Sequence, residues 1–473
     1  MAETNIEFNQ ILGSERIPGV YTEYDATGAV NALPVNAQEV LIIAPATAKM
    51  TGNYSQPMKV YSDVEAANAF GAGSWAHLMV RQALKNNSNM NLTVVGLADH
   101  SAGVAAQGSI TLAGTASTAG VITLIIAGVK YAISAAKNET ATALASRLNA
   151  YINAQSDSPV TASVNGAGIT LNAKHKGELG NEITLNYINT ATGVTITLEA
   201  MQNGQQNPDI TDALTSVAGT HYNIIISPFS DADNANALKE HLEAVSSPTA
   251  KKPAIGVMGW RGTLSTGTTL TSKLNSERLT VAWYKGSIES NAIIAAGYGA
   301  VIASEEDPAR PLNTLQVKGL SLVDDAQKPM REEFKQALFN GLTPLNIVNS
   351  EVQIMRAITT YTKAVTGVDD PSYLDLTTIR SLDYGRKALE QRLALRFPRS
   401  KLVGKGTPNK VRSEVLDVMY KLEDAEIWEN IDANKSALIV VKDSKDANRI
   451  NLKIPADVVN GLHVIAAQIS LIL

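Results

Sequence analysis

The chain has 473 residues, of which 18% are charged and 45% apolar, with a net charge of -5 and no cysteine. That balance predicts a globular chain of several domains, excludes structural disulfides and cysteine-based metal sites or nucleophiles, and gives no global reason to bind nucleic acid. The opening MAETNIEFNQ lacks the basic and apolar regions of a signal peptide, and no apolar stretch reaches the ~20 residues that cross a bilayer, so a soluble protein made in a cytoplasm is expected.

Residues 1–17 read as a flexible arm in which Ile6 and Phe8 alternate with Asn5, Glu7 and Asn9 as in a short strand. Residues 18–99 open an α/β order: strand Glu39–Ala44, a helix begun by Ser62 with Glu65 three residues on as in a capping box, helix Gly73–Lys85 and buried strand Asn91–Leu97. Between about 100 and 207 the chain turns to Ala, Gly, Ser, Thr and Asn, without Phe or Trp. Strands are predicted there at Ile110–Leu112, Val121–Ile126 and Lys130–Ile133, then a helix at Glu139–Ala154. Further strands follow at Val160–Val164, Ile169–Asn172, Ile183–Tyr187 and Val194–Leu198. This pattern predicts a self-contained, surface-exposed α+β domain inserted into the larger fold.

The α/β alternation resumes over 208–350 with strands Tyr222–Ser227, Ala254–Met258 and Leu279–Tyr284 and helices Asp231–Val245, Asn291–Ile302 and Lys328–Asn340. Strands alternating with helices predict a layered sheet. Residues 351–473 are expected to form a C-terminal domain: strand Val352–Ile358, helices Thr377–Phe397 and Lys410–Asn430, and strands Ala437–Val441 and Arg449–Ile454. The chain then ends on GLHVIAAQISLIL, Gly461–Leu473, a β-type run apolar on both faces and ~40 Å long if extended. Exposed, such a run is an aggregation hazard. It must be a central strand of its own domain or reach into another subunit.

Catalytic motifs are weak. Gly256, Gly259 and Gly262 follow a strand at the wrong spacing for a dinucleotide loop. Leu264-Ser265-Thr266-Gly267 has Thr263 where a nucleophile elbow needs glycine. The six histidines show no metal-ligand spacing, and the pairs Asp324-Asp325 and Asp369-Asp370 sit beside proline turns. No cofactor is expected. The most suggestive local feature is a basic stretch containing Arg386, Arg392, Arg396, Arg399 and Lys401, followed by a helix rich in Glu and Asp. It reads either as internal pairing with that acidic helix or as a contact strip towards a partner subunit or tube. Nucleic-acid binding is disfavoured, because the stretch has no interleaved aromatics.

Longer strings carry a resemblance. They are Phe339-Asn340-Gly341-Leu342-Thr343-Pro344-Leu345, Arg356–Thr362, Ser372–Thr378, Arg396-Phe397-Pro398-Arg399-Ser400-Lys401-Leu402 and Ile454–Val464, with Ile17-Pro18-Gly19-Val20-Tyr21 and Gly73–Leu97 in the N-terminal half. In these the chain resembles the tail sheath proteins of Mu-like contractile-tailed bacteriophages. The resemblance implies a non-enzymatic virion subunit that stacks as hexameric rings in a helical sheath, contracts from a metastable extended state, and drives the tail tube through the host envelope. It also implies tail tube, baseplate and tail terminator proteins as partners. Terminal arms would add strands to neighbouring subunits, here through Ile6 and Phe8 at one end and Val464, Ile465, Ile469 and Leu471 in the arm 461–473 at the other. A sheath-like subunit of a phage-derived injection particle is the alternative. The expected fold is therefore a multidomain α/β and α+β chain: a layered core, an inserted β-rich domain and two extended arms.

Overall fold

A computed structural model describes residues 18–22, 32–47, 50 and 52–472. Contacts divide the chain into a larger unit, residues 36–383 with 459–473, and a smaller one, residues 1–35 with 384–458.

The larger unit is built on an eight-stranded sheet in the spatial order Glu351–Ile354, Thr343–Val348, Leu279–Trp283, Ile255–Trp260, Ile224–Ile226, Glu39–Pro45, Asn91–Leu97, Pro57–Lys59. Neighbours from Thr343–Val348 through Asn91–Leu97 are parallel, and the strand at each edge is antiparallel. Parallel strands covered by helices are apolar on both faces. Val40–Ala44 and Ile224–Ile226 are buried throughout. Helix Asn291–Ser304 is buried nearly all round, lying against both the sheet and helix Trp75–Asn86. Two glycines permit this close packing. A Cβ on Gly299 would come 2.5 Å from Ile226 on the sheet side, and one on Gly297 would come 2.7 Å from Gln82 on the helix side. The outer edge at Glu351–Ile354 is covered by backbone bonds from Thr314 and Val317.

Residues 351–383, grouped with the C-terminal domain from sequence, lie in the larger unit because Glu351–Ile354 pairs with Thr343–Val348. That latter strand carries Pro344 and is not foreseen, since proline argues against a strand interior. Leu264–Leu274 is also an unforeseen helix, and it disposes of the elbow resemblance: Thr263 is its N-cap, accepting from the Thr266 N–H at 3.3 Å. The capping box at Ser62 is shifted by one residue. Ser62 accepts from the Glu65 N–H at 3.1 Å, but the Glu65 carboxylate takes the Tyr61 N–H at 2.9 Å.

Within the same unit, residues 105–202 form two antiparallel sheets around helix Ala141–Ala154. One sheet runs Val194–Gln202, Ala105–Gly114, Gly168–Lys176, Val160–Asn165, and the other Val129–Ala135, Gly120–Ile126, Leu185–Asn189. Every strand expected there is present. The segment's ends are clasped by the bridge between Val104 and Gln205, and His175 and Arg81 tie it to the parallel sheet's surroundings through Asp99 and Asp157.

The smaller unit contains the second part of helix Leu376–Arg396, helix Gly406–Asp424, a short helix Ile431–Asn434 and the ribbon Ile439–Lys442 paired with Ile450–Lys453. The helix predicted over Lys410–Asn430 starts earlier, because Pro408 falls in its first turn, where proline costs little. It stops at Asp424, with Glu426 and Asn430 at φ of 55° and 58° turning the chain away.

Candidate intersubunit surfaces

The C-terminal run is held to the larger unit at a defined point. A Cβ on Gly461 would meet Pro311 at 2.7 Å, so only glycine lets the chain pass so close. His463 Nδ1 accepts from the Asn313 side-chain amide at 2.8 Å, and its Nε2 faces Asp375 at 3.4 Å. Asp375 is itself gripped by Arg356 through two bonds of 2.8 and 2.7 Å. Burial first, then the Arg356 charge, holds the His463 imidazole below the usual histidine range, against the pull of Asp375. The ring is therefore neutral at pH 7, held by Asn313 on one nitrogen and directed at Asp375 by the other.

Beyond His463 the expected strand is not formed. Residues 464–472 have no ladder partner among the described residues, and Val464, Ile465, Ile469 and Leu471 are 78%, 81%, 97% and 84% exposed. This corrects the first of the two sequence readings: within its own chain the run is not a central strand. Ile6 and Phe8 lie outside the described residues.

The smaller unit holds a complementary feature. In the ribbon, Ile439 pairs with Lys453 and Val441 with Asn451, while Val440 opposes Leu452 and Lys442 opposes Ile450. Ile439, Val441 and Leu452 are exposed, and the strand Ile439–Lys442 is backed by helix Gly406–Asp424. Two strands alone are marginal, and each has an outer edge of backbone N–H and C=O groups.

The basic stretch divides in two. Arg392 is buried and bonds both Glu414 at 3.0 Å and Asp417 at 2.6 Å, and Arg396 reaches Glu414 at 3.5 Å. Arg386 pairs with Glu390 one turn along its own helix at 3.1 Å. These three serve the internal pairing reading. Arg399 and Lys401, past the helix end, are exposed and have no ion pair among the described residues.

One site had no signal in the sequence. Glu182, in the turn Glu178–Glu182 of the inserted segment, lies in a crevice of about 450 Å³ beyond the carboxyl ends of the parallel strands. Its carboxylate accepts from the Asn291 backbone N–H at 2.7 Å and side-chain amide at 2.9 Å, at the start of the buried helix. The Arg261 guanidinium donates to its backbone carbonyl at 2.6 Å. Burial outweighs both and pushes the carboxyl up to about 7. A lone acid in a Gly-Asn turn gives no pattern by which to find it. Three histidine, cysteine or acidic side chains suited to a metal are not grouped anywhere among the described residues.

Residues 203–360 match the phage tail sheath protein central domain, and residues 368–472 the phage tail sheath C-terminal domain. The chain is 33% identical over 489 residues to the Mu-like prophage FluMu tail sheath protein of Haemophilus influenzae, covering 99% of this chain and 100% of that one. Among solved structures, a sheath tail protein of Desulfitobacterium hafniense is similar in fold, at a TM-score of 0.54 and 15% identity over 94% of this chain and 97% of that one. A Listeria innocua sheath tail protein gives 0.52 at 13% identity over 92% and 94%. A chain of the anti-feeding prophage baseplate in its contracted state also gives 0.52, at 12% identity over 97% and 99%.

Proposed function

Because the chain belongs to the phage tail sheath family and is thus a structural component of a tail, we propose that it polymerises through its arms into stacked hexameric rings around a tail tube. One observation carries this reading. Among the described residues, the same chain holds an apolar arm with no ladder partner and a two-stranded ribbon whose outer edges are unpaired. Strand addition joins them between copies: the arm supplies main-chain hydrogen bonds, and Val464, Ile465, Ile469 and Leu471 set the register through alternate pockets. Each large apolar side chain buried this way contributes roughly 1.5–3 kcal/mol before the cost of ordering the arm.

A link made of extended chain survives rotation of the folded units it joins, as a contracting lattice requires. On this reading the sheath assembles extended in the host cytoplasm, is triggered at a baseplate, and contracts on the free energy of new contacts between subunits. It is not an enzyme, binds no cofactor, and meets tube, baseplate and terminator proteins through exposed surfaces that include Arg399 and Lys401. Electron microscopy of the purified protein tests the proposal. Hollow helical tubes at raised concentration are expected; a monomer that stays dispersed at every concentration and salt condition would end it.

A further inference from the structure

The inserted segment is joined to the rest of the larger unit by polar catches, and one of them holds a buried histidine. Its own strands and helix pack on one another. Two catches lie in or just after strand Gly168–Lys176: Asp99 bonds His175 Nδ1 at 2.8 Å and the Lys176 N–H at 3.2 Å, and Glu182 bonds Asn291. The third is made by helix Trp75–Asn86 and the turn before it. There Arg81 donates to Asp157 of the segment at 2.9 Å and to Asp63 of helix Asp63–Phe70 at 3.0 Å. The turn itself meets the segment's backbone, since a Cβ on Gly73 would come 2.3 Å from the Ser158 carbonyl oxygen. Beside it the Lys174 ammonium donates to the Ala72 carbonyl at 3.1 Å and to the Ser156 carbonyl at 2.7 Å.

His77, one turn before Arg81 on the same helix, is 1% exposed. Its Nδ1 accepts from the Gly73 N–H at 3.0 Å, so the single ring proton lies on Nε2, which faces Asp63 at 3.0 Å. Arg81 Nη2 stands 3.2 Å from the same Nε2. Burial first, then the Arg81 charge, hold the imidazole below the usual histidine range, against the pull of Asp63 and Asp157. A second proton would set one N–H against another at Gly73, in a buried place where an unmatched donor is costly. It would also put a positive charge beside Arg81. We infer that His77 is an acid-released catch: a proton on Nδ1 drives the turn at Gly73 away, parts Arg81 from Asp157, and lets the inserted segment swing about its attachments at Asp99 and Glu182. The charged groups around the ring are Arg81 on its own helix, Asp63 on the preceding helix and Asp157 on the segment, with Lys174 beyond Gly73. Docking is complete above the ordinary histidine value of about 6.5 and is lost as pH falls through the lower value of the fold. The catch works within one chain and does not depend on the assembly of copies.

The absence of native cysteine makes site-specific labelling a clean test. Spin labels are placed on the full chain at exposed Ser88→Cys, outside the segment, and exposed Asn165→Cys, within it, and their separation is read by pulsed electron paramagnetic resonance. One narrow distance is expected at pH 7.5, and its loss to a broad distribution at pH 5, with an unchanged circular-dichroism spectrum. His77→Asn, which keeps an acceptor towards Gly73 but takes no proton, should hold the narrow distance at pH 5. Asp157→Asn, which weakens the hold of Arg81, should broaden it already at pH 7.5. Hydrogen exchange on the unsubstituted chain gives a readout free of any variant. Amides of Gly73–Trp75 and Asp157–Val160 should lose protection at pH 5 relative to the rest of helix Trp75–Asn86. A narrow distance that persists at pH 5, equal broadening in His77→Asn, or loss of the whole spectrum together with the distance would each overturn the inference.

Discussion

Two ionisable residues have measurable consequences for stability. Glu182 is held protonated in the fold up to pH about 7, against an ordinary carboxyl near 4.5, because burial beside the helix start disfavours its charge. Between those values the folded chain keeps a proton that the unfolded chain has lost, so its contribution to stability falls as pH rises from about 4.5 to 7. Glu182→Gln keeps an acceptor for Asn291 and removes the titration. Thermal melts at pH 5 and pH 7 should therefore differ less for the variant, by roughly 1–3 kcal/mol in the stability change. An unaltered pH dependence would mean that the carboxyl is ionised in the fold. At Asp417, burial works to raise the pKa, but bonds from Lys421 and Arg392 outweigh it and hold the carboxyl low. That stabilisation is present above the ordinary carboxyl range and is lost as pH falls through the lowered value. Truncating buried Arg392 leaves Glu414 and Asp417 facing each other without their shared cation. Arg392→Ala should cost about 1–3 kcal/mol in denaturant unfolding. Arg399→Glu, at an exposed position, should leave the midpoint unchanged and weaken assembly instead.

At the scale of elements, the two arms and the ribbon matter most. Residues 464–472 make no ladder among the described residues, so deleting the run removes no strand pairing there. The folded units should keep their circular-dichroism spectrum and melting temperature in chains lacking Val464–Leu473 or residues 1–16, while tubes disappear from micrographs. Tubes formed by both truncations would sink the arm mechanism. The helices of the larger unit were readable for a local reason. Ser74, Thr140 and Asp231 each accept from a backbone N–H three residues on, and these capping residues stand in the sequence directly before the periodic runs they start. Thr343–Val348 was not readable, since its proline argues for a break and only the neighbouring strand Leu279–Trp283 makes it a strand. The basic strip was legible as a run of charge, but its division into paired Arg392 and Arg396 and exposed Arg399 and Lys401 depended on where helix Leu376–Arg396 ends.

For the whole molecule, the proposed assembly rests on two surfaces of the described residues: an exposed apolar arm and a two-stranded ribbon. In the assembly proposed above, the arm of one copy would meet a different surface on the next, a head-to-tail contact of the type that generates rings when the rotation closes and helical polymers when it does not. Tube formation should accordingly be steeply concentration-dependent, while salt should act mainly on the charged junctions and little on strand addition. The sequence by itself determined the alternation of strands and helices, the compositional break at about residues 100–207, and the membership of a family, since each is written in local periodicity or in long strings of residues. It also showed that Gly461–Leu473 is apolar on both alternating faces. Only the tertiary structure decided that Gly461 and His463 are held against Pro311, Asn313 and Asp375, that Arg386, Arg392 and Arg396 of the basic strip are paired internally, and that Glu182 meets Asn291. Apart from the Arg386–Glu390 pair, each of those outcomes joins residues far apart in the chain, and local sequence pattern does not encode which distant surface a side chain will face.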